Sequence, residues 1–320
     1  MNALVTTGPV AEPSGTTTPP AAVLVRAAGA VLVVYGYLVG QHVDLSAVRA
    51  LLNRPLGIGE DFGALGVMLL LAAAGHLGVV RRPSVKAAAL TYLPLAVTVV
   101  IAAGLVAAGA PIWSAPTADH TSALAVAGNL GLVNQLVADA PLLAPLGWVV
   151  LLELLASATG ALARAIPWPV LVPAAHVVVA ALVIALVDDP RVANAAAFSG
   201  VVVIGQVSAL RGRLRFAVAP AAWSLLVLAE HRQPGLAKWW YALTAAYASL
   251  LFTTAVVFAG ATAARVAGNR VVAWLADHAT WLALLQGAIG FAVASAVHPA
   301  AGVVATVAAT AAAGWAVRRW

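Results

Sequence analysis

Long apolar stretches, interrupted by single polar residues or short polar clusters, run through almost the whole chain from residue 21 onward. A helix that crosses a bilayer needs about 20 mostly apolar residues. Division of the chain at its charges, prolines and turn residues predicts ten such helices. They span residues 21–43, 62–80, 88–110, 144–166, 168–187, 192–210, 214–230, 239–261, 279–297 and 299–317. The pattern therefore predicts an all-α, polytopic membrane bundle of about ten transmembrane helices.

Two segments lie outside the predicted helices. Residues 1–20 are rich in Thr, Pro and Gly and have neither the charged start nor the apolar core of a signal peptide, so we expect a disordered tail. Residues 111–143 form the longest connection, and we expect a short interfacial helix around "GNLGLVNQLV". Residues 21–320 are then predicted to form a single transmembrane domain.

Composition strengthens the membrane interpretation and excludes several other classes. Hydrophobic residues make up 63% of the chain and charged residues only 9%, whereas a soluble domain has about 25% charged residues. The net charge of +6 is therefore not a sign of nucleic-acid binding. The chain has no cysteine, which excludes disulfides, thiolate metal sites and cysteine nucleophiles. No HExxH motif or P-loop occurs, and we expect no metal site.

The distribution of basic residues predicts the orientation. Short cytoplasmic loops are enriched in Lys and Arg. With the N-terminus inside, most of the 17 basic residues fall in predicted inner segments, whereas most acidic residues fall outside. The inner set is Arg81, Arg82, Lys86, Arg164, Arg211, Arg213, Arg215, Arg265, Arg270, Arg318 and Arg319. We therefore expect both termini to be cytoplasmic and the protein to lie in the cytoplasmic membrane.

Four stretches carry a further pattern in a fixed order along the chain. The first helix contains "RAAGAVLVVYGY", from Arg26 to Tyr37, and the second contains "GALGVMLLLAAAGHL". The third begins near "TYLP". The fourth contains "GWVVLLELLASATGAL", in which Trp148 and Glu153 are five apart, and it is preceded by "GNLGLVNQL".

These stretches, over roughly residues 21–317, resemble the integral-membrane acyltransferase 3 family. That family moves acyl groups, often acetyl, from cytoplasmic acyl-CoA onto hydroxyls of sugars or other acceptors. Its first helix pairs an arginine, here Arg26, with a histidine at the position of Tyr37. A second family histidine corresponds to Gln286 in "ATWLALLQG", and the arginine before "YLP" is missing here. The chain thus keeps the pattern of the family and lacks its usual histidines.

The resemblance implies roles for individual residues. Acyl transfer to a hydroxyl needs a general base, which histidine supplies well near neutral pH. It also needs positive charge for the CoA phosphates, which implies a binding role for Arg26, with Arg81 and Arg82 in the following loop. The alternative is that these arginines only set the topology or anchor helix ends. Tyr37 is a poor substitute base because a phenol has a pKa near 10.

The remaining candidates are an acid and three histidines. Glu153 lies in the middle of an apolar helix, where a charge is costly, so we expect it to face a cavity or to pair with Arg26 or a histidine. His76 is the favoured substitute base, since it lies within a matching stretch. His42 is expected to be a solvated residue at the outer end of the first helix, with use by an outer acceptor site as the alternative. His176 is expected to be a core residue.

The sequence leaves two main functions open. The first is a membrane acyltransferase that uses acyl-CoA and the hydroxyl of a glycan, lipid or small natural product. The second is a non-catalytic relative that serves as a membrane scaffold, assembly partner or carrier, which the changes at Tyr37 and Gln286 favour. An unrelated transporter is disfavoured because no internal repeat is evident. The expected partners are the bilayer, an acceptor substrate and a second membrane protein.

Overall fold

The computed structural model describes residues 18–58, 62–114, 121–137, 139–210, 213–233, 238 and 240–319. Within these ranges the secondary structure is entirely helical. The helices are α1 Pro20–His42, α2 Gly63–Val80, α3 Val85–Ala107, α4 Ala123–Leu130, α5 Gly147–Ala165, α6 Leu171–Leu186, α7 Pro190–Ala209, α8 Arg215–Arg232, α9 Trp240–Val257, α10 Ala261–Ala267, α11 Arg270–Asp277, α12 Ala279–Ala296 and α13 Pro299–Val317. Short helical turns at Ser46–Val48, Arg49–Asn53 and Arg54–Leu56 lie between α1 and α2.

The structure confirms the prediction of an all-helical, multi-pass membrane protein. In the described part of the chain, eight helices are long and apolar enough to cross a bilayer: α1, α2, α3, α5, α7, α9, α12 and α13. The other two predicted spans coincide with α6, which is apolar but shorter, and with α8. The count of ten spans and the cytoplasmic placement of the termini stay predictions. Residues 1–17 of the expected tail, and Arg211, lie outside the described residues.

The connection between α3 and α5 differs from its prediction. The helix there, α4, covers Ala123–Leu130 and includes only the start of "GNLGLVNQLV". It ends because Gly131 follows and Leu132 takes a left-handed conformation with φ of 62°. A 3₁₀ turn at Val133–Gln135 completes the stretch. The expected helix is therefore present, but it lies earlier in the chain.

Helix α2 forms the centre of the bundle, with nearly all of its residues buried. Small residues allow its neighbours to approach very closely. A Cβ added at Gly75 would lie 2.0 Å from the carbonyl oxygen of Val202 on α7. One added at Gly78 would lie 2.3 Å from that of Ala156 on α5. The interior around α2 is therefore closed by backbone packing.

Two of the membrane-spanning helices contain π-helical turns, Tyr35–Val39 within α1 and Gln286–Gly290 within α12, and these two turns contact each other. A third π-helical turn, Arg49–Asn53, lies between α1 and α2. The first two contain Tyr37 and Gln286, the two positions where the resemblance leads one to expect histidine. Single π turns inside α-helices frequently occur at functional sites.

The bundle has two distinguishable ends. At one end, Arg81 donates a hydrogen bond to the Thr18 hydroxyl, and Arg164 donates one to the carbonyl of Gly78 at 2.6 Å. We call this the basic end; it holds the start of α1 and the end of α2. We call the opposite end, where α1 finishes at His42 and α12 at Ala296, the far end.

Candidate functional site

The guanidinium of Arg26 forms the centre of a polar cluster near the basic end. Its Nη1 lies 3.2 Å from Oε1 of Glu153 on α5, in an ion pair. Its Nε donates to the carbonyl of Ala276 at 3.1 Å, and its Nη2 lies 3.4 Å from the Thr280 hydroxyl. Of the three expected arrangements of Glu153, the pairing with Arg26 is the one that the structure shows, whereas a part for either residue in catalysis stays a prediction.

Thr280 completes this cluster, which we call the Arg26 centre (Arg26, Glu153 and Thr280). Its hydroxyl lies 3.0 and 3.2 Å from the two carboxylate oxygens of Glu153. The side chain of Glu153 is only 6% exposed and that of Arg26 is 17% exposed. The two charges satisfy each other in an apolar environment, and together they join α1, α5 and α12.

A small pocket lies beside the Arg26 centre, at the basic end of the bundle. It has a volume of about 70 Å³ and is lined by Thr18, Val23, Arg26, Arg81, Ala276 and Asp277. Ligand sites for drug-sized molecules usually have about 300–1,000 Å³, so this pocket has room for a few water molecules or a small ion and not for a nucleotide. Arg82 follows Arg81 but is not part of the lining, and Glu153 lies behind Arg26.

Two arginines meet at this pocket, and their charges affect each other. Although the Arg81 residue is exposed overall, burial of its charged group lowers the pKa of Arg81, and the positive charge of Arg26 lowers it further. Asp277 opposes both effects. The ordinary pKa of arginine lies far above neutral pH, so Arg81 is treated as charged at neutral pH. The lining therefore holds two positive charges and the negative charge of Asp277, and the charge of Arg26 is already paired with Glu153.

His76 makes its described contacts on a different side of α2. Its Nδ1 lies 2.9 Å from the hydroxyl of Ser208 on α7, and its ring packs edge-on against Phe252 on α9. None of these contacts reaches Arg26 or Glu153, and His76 does not line the pocket. The structure thus joins Arg26 with Glu153 and places the candidate base among other partners.

Tyr37, the position of the first family histidine, is covered by an aromatic ring. Trp113 stacks on it with ring centroids 4.7 Å apart, and the Trp113 backbone N–H donates to the carbonyl of Gly287 at 3.0 Å. Gln286, the second position, is fully buried, and its Nε2 lies 3.4 Å from the carbonyl of Ala283. The segment around Trp113 thus packs against both π turns.

Sequence reasoning missed the part played by several residues. Trp113 lies in an irregular segment that has no periodic pattern, and Thr280 carries no signal beyond a polar side chain near a helix start. Arg191, near the start of α7, is a third such residue. Its Nη1 caps the α4–α5 connection with bonds to three carbonyls, those of Asn134 and Val137 at 2.7 Å and Ala140 at 2.9 Å. The sequence signal for this capping is an arginine at the start of a helix, since its several N–H groups can bind the free carbonyls of a nearby irregular segment.

No protein-family model, curated protein or solved structure matches this chain. The likeness to the acyltransferase 3 family accordingly rests on the quoted stretches alone. Among the described residues, no group of three or more His, Asp or Glu side chains is arranged to hold a metal ion.

Proposed function

We propose that this chain is a multi-pass membrane protein of the acyltransferase 3 type whose Arg26 centre carries out no acyl transfer. In this proposal the protein acts as a membrane scaffold, assembly partner or carrier in the cytoplasmic membrane. The observation that supports it is the pairing of Glu153 with Arg26 and Thr280. Both carboxylate oxygens of Glu153 are engaged by these two neighbours, so the carboxylate serves the cluster rather than the hydroxyl of a substrate.

Two further features support the same proposal. The position of the family histidine is occupied by Tyr37, and its ring is covered by Trp113. The pocket beside Arg26 has about 70 Å³, much less than a nucleotide requires. Acyl transfer from CoA requires a base, space for the acceptor and a cavity for the nucleotide. In this proposal the Arg26 centre provides none of the three.

One observation favours the second candidate, a working acyltransferase. Arg26 and Arg81 line the same pocket at the basic end, and two neighbouring arginines attract a phosphate group. In that case the pocket would receive part of acyl-CoA, and the acceptor would be the hydroxyl of a glycan, lipid or small natural product.

Measurement of acyl-CoA binding and turnover separates the two candidates. Purified protein in lipid nanodiscs is titrated with acetyl-CoA, and release of free CoA is followed with a thiol reagent. We expect neither binding nor CoA release above the protein-free control. Saturable binding that Arg81→Ala weakens, or CoA release that this variant abolishes, would refute the proposal in favour of the acyltransferase. Arg81 suits this test better than Arg26 because it is exposed and lies outside the ion pair.

A further inference from the structure

Three serine–histidine pairs join helices in the described part of the bundle. Their nitrogen-to-hydroxyl distances are 2.9 Å for His76–Ser208, 3.0 Å for His176–Ser199 and 3.1 Å for His42–Ser295. A serine beside a histidine is the arrangement that activates a nucleophile when the serine donates its proton to the histidine. The direction of that hydrogen bond therefore decides what each pair can do.

In two of the pairs, the serine proton has another acceptor. Ser208 lies 2.6 Å from the carbonyl of Gly205, and Ser199 lies 2.7 Å from the carbonyl of Ala196, each in its own helix. A hydroxyl has one proton, so a serine that donates to its own helix accepts from the histidine. These two pairs are helix-to-helix clamps, and their serines are not activated.

The pair at the far end has the opposite direction. His42 Nδ1 lies 2.9 Å from the carbonyl of Leu38, which can only accept, so Nδ1 carries the proton. In neutral imidazole the other nitrogen, Nε2, then has a free lone pair. That nitrogen lies 3.1 Å from Ser295 Oγ and accepts its proton. The ring is held further by Phe291, which packs edge-on at 4.8 Å.

This geometry matches the logic of a catalytic triad. A nucleophile contacts a base, and a third group fixes the tautomer of the base. Here the Leu38 carbonyl takes the place that an aspartate has in many hydrolases. Ser295 is exposed, so its oxygen is accessible to a substrate. His42 and Ser295 each follow a π turn in their helix, a feature that is common next to functional sites.

We propose that Ser295 and His42 form a nucleophile–base pair at the far end of the bundle that takes an acyl group from an ester. Ser295 Oγ forms a bond to the acyl carbon while its proton moves to His42 Nε2. The bond between the acyl carbon and the ester oxygen then breaks, and the leaving alcohol takes the proton from His42. A water molecule then gives a proton to the same nitrogen while its oxygen forms a bond to the acyl carbon. The bond between that carbon and Ser295 Oγ breaks, His42 returns the proton to Oγ, and the acyl group leaves as a carboxylic acid.

The substrate follows from the position of the pair. Since it lies at the end of two membrane-spanning helices, an ester with an apolar acyl chain reaches it from the bilayer surface. The site shares no residue with the Arg26 centre, and it needs neither CoA nor a metal ion. The proposed activity of this pair is therefore independent of the proposed scaffold function, and the test of one does not affect the other.

A fluorophosphonate probe tests the pair directly, because it reacts only with an activated serine. The full chain in nanodiscs is treated with the probe, and the labelled residue is identified by mass spectrometry. We expect labelling at Ser295, complete loss of labelling in Ser295→Ala, and labelling about 100-fold or more slower in His42→Gln. Hydrolysis of p-nitrophenyl butyrate should fall in the same two variants.

The two clamp pairs provide matched controls. Ser208→Ala and Ser199→Ala remove a serine beside a histidine and should leave the labelling rate unchanged. Native protein that is not labelled under conditions that label a known serine hydrolase would overturn the proposal, and so would undiminished labelling of Ser295→Ala.

A second measurement covers the case in which His42→Gln does not fold. Because the chain has no cysteine, Ser295→Cys and Ser208→Cys each introduce a single thiol. Next to an accepting imidazole, the thiol at position 295 should be alkylated by iodoacetamide faster than the one at 208. Equal or slower alkylation at 295 would show that the position is neither accessible nor activated, contrary to the proposal.

Discussion

Replacement of Glu153 by alanine should destabilise the bundle by about 3 kcal/mol, because it leaves the Arg26 charge without its counter-charge. Loss of one partner of a buried ion pair costs about 3–5 kcal/mol. We expect the lower end of this range for two reasons. The Arg26 side chain keeps 17% of its surface exposed, and its Nε keeps the bond to the Ala276 carbonyl at 3.1 Å.

A double-mutant cycle isolates the interaction between the two charges. The variants are Arg26→Met, Glu153→Leu and the double replacement, all with side chains that fill similar space. Because a hydrogen bond to a charged group contributes about 1.5–3 kcal/mol, the double variant should be less destabilised than the sum of the single variants by that amount. An apolar pair in place of both charges removes the need to desolvate either of them.

Equilibrium unfolding in mixed micelles, followed by circular dichroism, measures these free energies. Glu230→Ala, near the end of α8, is the matched control and should cost about 0.5 kcal/mol or less. Interhelical hydrogen bonds in membrane proteins average about 0.6 kcal/mol. A coupling energy of only about 0.6 kcal/mol between Arg26 and Glu153 would refute the inference that the Arg26 centre holds the bundle together. Equal destabilisation by Glu153→Ala and Glu230→Ala would refute it as well.

Three further predictions concern other contacts of the bundle. Gly205→Ala should cost about 1–3 kcal/mol in the same unfolding assay, because the added Cβ would lie 2.0 Å from a carbonyl oxygen of α2. Gly104→Ala, whose Cβ would meet nothing within 4 Å, should instead stabilise the protein by about 0.5–1 kcal/mol. Equal effects of the two replacements would contradict the close packing at Gly205. Arg191→Ala should speed amide hydrogen exchange in the connection it caps, with unchanged exchange as the contrary result. Tyr37→His should not produce acyl-CoA hydrolysis, since Trp113 covers the position, and CoA release by this variant would show that the cover is open.

The helix positions were predictable because length and hydropathy are local properties. The predicted span 62–80 compares with α2 at Gly63–Val80, and 299–317 coincides with α13. Boundaries moved by a few residues where the apolar stretch continued into a loop, as at the end of α3 at Ala107. The helix in the longest connection was misplaced because the left-handed conformation of Leu132 has no sequence signal of its own.

The Arg26 centre was predictable in part, and for a physical reason. A charge within an apolar helix needs a partner, so Arg26 and Glu153 indicated each other although they are far apart in the chain. The contribution of Thr280 was not predictable in this way, because a threonine needs no charged partner. The stacking of Trp113 on Tyr37 depends on the path of an irregular segment, where no periodic pattern exists.

The π turns explain why the pair at the far end escapes sequence analysis. Each helical residue turns the chain by roughly 100°, and a π turn holds one residue more than an α turn, so side chains beyond it are rotated by about that angle. His42 follows one such turn and Ser295 follows the other. Regular α-helices would therefore direct the two side chains away from their observed positions. A sequence read with a constant period of 3.6 assigns His42 to a solvated helix end, whereas the structure places its Nε2 at 3.1 Å from a serine hydroxyl.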